Sequence, residues 1–199
     1  EQCRLQRIDV YDVEQLDQAR ARFAELAASA PQPFSNAATA TVKPVIACMV
    51  AHDWQEFERL FSEDFRCSDR RRVVQLELDR DQYVAFTREV ADGRTIRAES
   101  HVLATRGDRL ALTRPTYEFA DADVGPSEIA FLILTEVDER GRIVAYVRWD
   151  LDDLDAAYAE LDARWRAGEQ RAHPRVAAYQ AAFDRDLANR DWDALAALY

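Results

Sequence analysis

The chain has 199 residues, 48% of them apolar, and carries 26 Lys and Arg against 37 Asp and Glu for a net charge of −11. That length holds one or two domains. The charge works against nucleic acid and against an anionic membrane surface, since both need a basic face to displace counterions.

No apolar run nears the roughly 18 residues of a membrane span, and the opening stretch EQCRLQR has no signal-peptide core. Cys3, Cys48 and Cys67 are odd in number and widely spaced. They read as small packed hydrophobes in a reducing, cytoplasmic setting. His52, His101 and His173 lie at no ligand spacing from a cysteine, so neither zinc nor another metal is expected.

Taken in order, Asn36 caps a helix through about Val50, with Pro44 marking a kink or the true first turn. Asp53 caps the next helix, with Glu56 three residues on and Trp54, Phe57, Leu60 and Phe61 as its apolar face. FRCSDRR then reads as a strand with Phe65, Cys67 and Asp69 on one side and Arg66, Ser68 and Arg70 on the other. Asp79 with Gln82 opens a short helix whose inner face is Tyr83, Phe86 and Val90.

From Arg94 the period changes to two. ESHVLATRGDRLALTRPTYEF makes two strands reversing at Arg106-Gly107-Asp108-Arg109, and the RGD there reads as a hairpin turn before it reads as an adhesion motif. DVGPS breaks the chain, and EIAFLILTEV and RIVAYVRWD form a second hairpin. Leu151, Leu154, Tyr158, Leu161 and Trp165 then make a helical stripe that packs on the sheet, followed by the linker AGEQRAHPR.

An internal repeat overlies this order. YDVEQLDQA at 11–19 resembles WDLDDLDAA at 149–157, with Asp12 and Asp150 standing 138 positions apart. Asp53-Trp54 recurs as Asp191-Trp192 at the same offset of 138. A rival offset of 135 aligns FAEL at 23–26 with YAEL at 158–161. The first register makes residues 1–30 the last strand and trailing helix of one copy, 36–166 a whole copy, and 172–199 the opening helices of another. On that reading the chain is a section of a longer tandem protein.

The stretches DWQEFERLFSEDF at 53–65, EIAFLILTEVDERGRIVAYVRWD at 128–150 and DLDDLDAAYAELDARW at 150–165 resemble the nuclear transport factor 2-like, or SnoaL-like, superfamily. The resemblance implies an α+β cone, a curved antiparallel sheet packed on three helices. It is nearest to tandem SnoaL-like modules of large bacterial regulatory proteins, which implies other domains of the same chain as partners and pairing of cones through their sheets as a homodimer.

Such cones imply a pocket for a small apolar ligand, and superfamily enzymes place carboxylates, tyrosines or histidines inside it. A carboxylic acid in an apolar pocket has its proton affinity raised toward neutrality. Asp69 shares its strand face with Phe65 and Cys67, and so leads the pocket candidates. His101, Tyr117, Glu128 and Trp149 follow, with Arg148 as a further polar strand residue. Arg70, Arg71 and Arg72 cannot all face one way and read as a solvated edge.

No position reproduces a catalytic motif of a superfamily enzyme, and no cofactor is implied. The expectation is a non-catalytic ligand-sensing or protein-interaction module. The alternative is a cofactor-independent isomerase, dehydratase or hydrolase acting on a small apolar substrate.

Overall fold

The computed structural model describes residues 11, 12, 15, 18–22, 34–120 and 127–198. The chain divides into two units, Glu1–Pro33 and Phe34–Tyr199. In the first, residues 18–22 are helical and Gln15 N donates to Asp12 O at 2.9 Å. The remainder of the strand and helix expected over 1–30, and the DVGPS break up to Pro126, lie outside the described residues.

The second unit opens with two helices where one was expected, α1 (Ala37–Ala40) and α2 (Val42–Ala51). Asn36 and Thr39 form a reciprocal cap on α1, each side chain accepting from the other's backbone N–H at 2.8 Å. Pro44 has no N–H to return to Ala40, so the helix breaks at Thr41, whose hydroxyl donates to Ala38 O at 2.8 Å.

His52 then takes a left-handed backbone, φ 54°. The reversal brings Asp53 N to Cys48 O at 2.9 Å, and Asp53 caps α3 (Trp54–Arg59) by accepting from Glu56 N. Phe61 begins β1 (Phe61–Asp69) and does not close the helix, and β2 (Leu76–Asp79) is a four-residue strand that the periodicity missed. Asp79 and Gln82 cap α4 (Arg80–Ala91) as expected.

The strands β3 (Thr95–Arg106), β4 (Leu110–Ala120), β5 (Ser127–Ala130), β6 (Leu132–Val137) and β7 (Ile143–Trp149) follow. The single strand expected over 128–137 is broken at Phe131. It lies opposite Pro115, which accepts from Phe131 N at 3.4 Å and has no N–H to give back. Helix α5 (Leu154–Ala167), a 3₁₀ turn (Glu169–Ala172), α6 (Pro174–Ala188) and α7 (Trp192–Ala197) complete the unit.

The curved, unclosed sheet has the order β2-β1-β7-β6-β4-β3, with β5 on β4. It is mixed rather than wholly antiparallel, because β1 runs parallel to β7. Alternation along each strand sends neighbours to opposite faces. Phe65, Cys67, Ile133 and Tyr146 join Val45, Met49, Phe57 and Tyr83 on the concave side. Leu112, Leu134, Val147 and Trp149 meet Ala157 and Leu161 of α5 on the outer side. Each Val, Leu, Ile, Phe or Met among them contributes about 1.5–3 kcal/mol when fully buried.

The outer face beyond α5 is charged: Arg97 stands across from Glu118, Glu118 from Glu128, and His101 from Arg114. Charges of both signs on the long edge strand β3 blunt its free hydrogen-bonding edge.

At the far end, α6 and α7 are joined as α2 and α3 are. Arg190 has φ 54°, Asp191 N donates to Asp186 O at 2.8 Å, and Asp191 accepts from Ala194 N. The two cap aspartates share backbone angles, −83°/78° at Asp53 and −85°/85° at Asp191. Likewise Asp153 N donates to Asp150 O at 3.1 Å, the turn seen at Asp12 and Gln15.

Candidate functional site

The concavity of the sheet is where a ligand would enter, and aromatic rings occupy it. Phe61 lies 4.7 Å from Phe65, 5.3 Å from Tyr83 and 5.8 Å from Tyr146 between centroids, and Phe57 lies 5.1 Å from Phe61. Tyr117 stacks on Phe131 at 5.9 Å. Under α2, between Ser100, Thr113, Tyr117, Ile133, Thr135 and Tyr146, there is a cavity of about 30 Å³. The hydroxyl of Ser100 is buried there without a protein partner. That space holds a water molecule or two, since one water needs about 10–15 Å³ of such volume.

One polar cluster is embedded among the rings. Parallel pairing of β1 with β7 sets Asp69 beside Arg148, and both are buried, 4% and 9% exposed. Asp69 accepts from Arg71 Nε at 2.8 Å and Nη2 at 2.6 Å, and Arg148 Nη1 stands 3.6 Å away. Arg148 Nη2 donates to the Tyr83 hydroxyl at 2.7 Å, and its guanidinium lies over Tyr83 and Phe131. Arg148 Nε is buried without a partner.

Burial by itself pushes the Asp69 carboxyl up, but hydrogen bonds from Arg71 and the charge of Arg148 outweigh it and hold the group below the usual carboxylate range. Burial pushes the Tyr83 phenol up, against the opposing pull of Arg148. Asp69 is therefore a carboxylate locked between two guanidinium groups. Its chemistry is that of a counterion, the reverse of the raised proton affinity expected of a general acid.

Of the residues read from the sequence, Asp69 and Tyr117 face the concavity with Arg148. The others are not brought together with them. His101 and Glu128 are exposed, with His101 Nε2 3.7 Å from Glu99 on β3. Trp149 is buried on the opposite face, under α5, with Arg70 over its ring. Period-two spacing defines which residues share a face, and pairing partners decide which face points inward.

Arg70, Arg71 and Arg72 diverge, to Glu160, Asp69 and the Asp150–Asp152 pair respectively. Asp150, Asp152 and Asp153 are near enough together to hold a cation, but Arg72 already sits against the first two. From the sequence, Arg71 reads as part of a solvated edge and Tyr83 as packing alone; the structure puts both in the cluster, Arg71 on Asp69 and Tyr83 under Arg148. The usable signal was a cation on β7 in register with an acid on β1.

The RGD turn is engaged within the fold. Gly107, φ 55°, and Leu110 accept from Asn36 Nδ2, while the Asp108 carboxylate accepts from Ala37 N. From the other side, Glu169 accepts from Asp108 N and Arg109 N, both at 3.1 Å. Both the entry to α1 and the exit from α5 are thus fastened to one hairpin. Among the described residues, no helix is long and apolar enough to cross a membrane.

No protein-family model matches the chain, and no curated protein matches it in sequence. Solved structures do match. RV0760c from Mycobacterium tuberculosis aligns over 61% of this chain and 96% of its own, with 14% identity and a TM-score of 0.51. The Δ5-3-ketosteroid isomerase of a Mycobacterium species aligns over 59% and 96%, with 13% identity and a TM-score of 0.52. The fold is that of the nuclear transport factor 2-like superfamily. RV0760c has also been solved in complex with estradiol-17β-hemisuccinate. In the Phe34–Tyr199 unit of this chain, aromatic rings lie in the hollow of the sheet.

Proposed function

We propose that this chain is a non-catalytic, protein-interacting NTF2-like module, one of a tandem series in a larger regulatory protein. The observation that carries the reading is that, among the described residues, the hollow under α2 on the concave side of the sheet measures only about 30 Å³, where small-molecule sites run to about 300–1,000 Å³. The ion-paired state of Asp69 supports it, since a carboxylate held by two arginines carries no proton to donate as a general acid near neutral pH and is weakened as a base. The matching turns at Asp12 and Asp150 and matching caps at Asp53 and Asp191 support the tandem arrangement.

The test is a titration with a Δ5-3-ketosteroid and with benzene, following melting temperature and steroid isomerisation. Neither compound raises the melting temperature of the unaltered chain, and no isomer forms. Phe65→Ala removes a fully buried ring, lowers stability by about 3–5 kcal/mol, and creates a dry cavity that benzene stabilises. Isomerisation by the unaltered chain, or a saturable thermal shift with the steroid, establishes the enzyme or ligand-pocket alternative instead.

A further inference from the structure

The helix pair α6–α7 repeats the joint of α2–α3 with apolar side chains of the corresponding face exposed. Val45, Met49, Trp54 and Phe57 meet the concave sheet in the inner core. Their counterparts 138 positions on are Phe183, Leu187, Trp192 and Leu195. Leu195 is buried, but Leu187 is 46% exposed and Trp192 65%. Val176 is exposed as well, and Val176, Phe183 and Leu187 fall on one stripe of α6. A stripe of this kind beside an exposed tryptophan marks an interaction surface.

The molecule itself displays what covers such a face. The same backbone joint at His52–Asp53 presents the same positions to a curved sheet: Val45, Met49 and Phe57 are buried by it, and Trp54 packs half-buried against the same cluster. We propose that α6–α7 is a preformed docking surface for the concave sheet of a further copy of this module carried by the same polypeptide. The proposal rests on the tandem reading and names the sheet that completes the copy opened by α6–α7. Glu169, bound to the hairpin at Asp108 and Arg109, ties the base of α6 to the complete cone and sets the direction in which that surface points.

The register supplies the experiment. Tyr199 aligns with Phe61, so residues 62–167 of this chain, appended after Tyr199, rebuild a full copy on α6–α7. Hydrogen exchange is measured on the 199-residue chain and on the extended chain. Amides of α6 and α7 slow by at least about tenfold on extension, while those of β3, β4 and β7 are unchanged. Trp192→Asp in the extended chain removes that protection and leaves residues 34–167 unaltered.

An appended segment that stays unfolded overturns the proposal, as does one that folds while α6 and α7 exchange as before. Concentration-dependent protection of α6–α7 in the 199-residue chain also overturns it, in favour of a second copy as occupant. The steroid and benzene titration concerns the inner core of residues 36–167, so its failure and this one are separable.

Discussion

Replacing Asp69 by Asn tests whether the polar cluster is structural. The side chain is 4% exposed and bonds Arg71 through both oxygens, with Arg148 3.6 Å away. Asn keeps the shape and one acceptor but removes the charge. Arg148 then remains a buried cation whose Nε already lacks a partner. Breaking a buried pair from one side costs about 3–5 kcal/mol, and because Arg71 can turn toward solvent the lower end applies, about 3 kcal/mol. For a chain of this length that lowers the melting temperature by about 6–12 °C.

Arg148→Met removes the stranded cation and fills the space with an apolar side chain. The double variant is therefore less destabilised than the sum of the single ones, by at least about 1.5 kcal/mol. Urea unfolding of the three variants measures this directly. Additivity within about 0.5 kcal/mol would refute a shared network, and Asp69 would then need another explanation for its burial.

Two further predictions concern the acid response of Asp69 and the hairpin at Gly107. The folded-state carboxyl of Asp69 lies below its unfolded value of about 3.9, so its contribution is present above that pH and lost as pH falls through the folded value. Melting temperature should decline below about pH 4, less steeply for Asp69→Asn, and an equal slope in both proteins would contradict the assignment. At the hairpin, Glu169→Ala frees the amides of Asp108 and Arg109, and Gly107→Ala forces a side chain into φ 55° and against the Glu169 carboxylate. Each costs about 1 kcal/mol and speeds exchange of those two amides, and unchanged exchange would mean that the fastening carries no load.

Local signals survived where their physics is local. Asn36, Asp53 and Asp79 cap helices because a short oxygen-bearing side chain meets unpaired N–H groups wherever it precedes a helical turn. Asp191 does the same. The hairpin at Gly107 formed as read, since only the turn residues decide it. Two elements departed from expectation for equally local reasons, the helix broken ahead of Pro44 and the strand broken opposite Pro115.

The candidate site was only partly legible. Asp69, Cys67 and Phe65 were placed correctly on one face, because alternation is a property of a single strand. His101 and Trp149 lay beyond its reach: their orientation depends on which strands pair, and in which register.

The sequence by itself determined the caps, the turns and the order of elements, all consequences of contacts a few residues apart. Tertiary structure alone decided that β1 runs parallel to β7, that α5 covers the outer face, and that Arg148 reaches Asp69 across 79 positions. It also decided that rings fill the cone. Whether a concave sheet holds a ligand or its own side chains depends on the summed volume of residues far apart in the chain, and that sum exists only once they are packed.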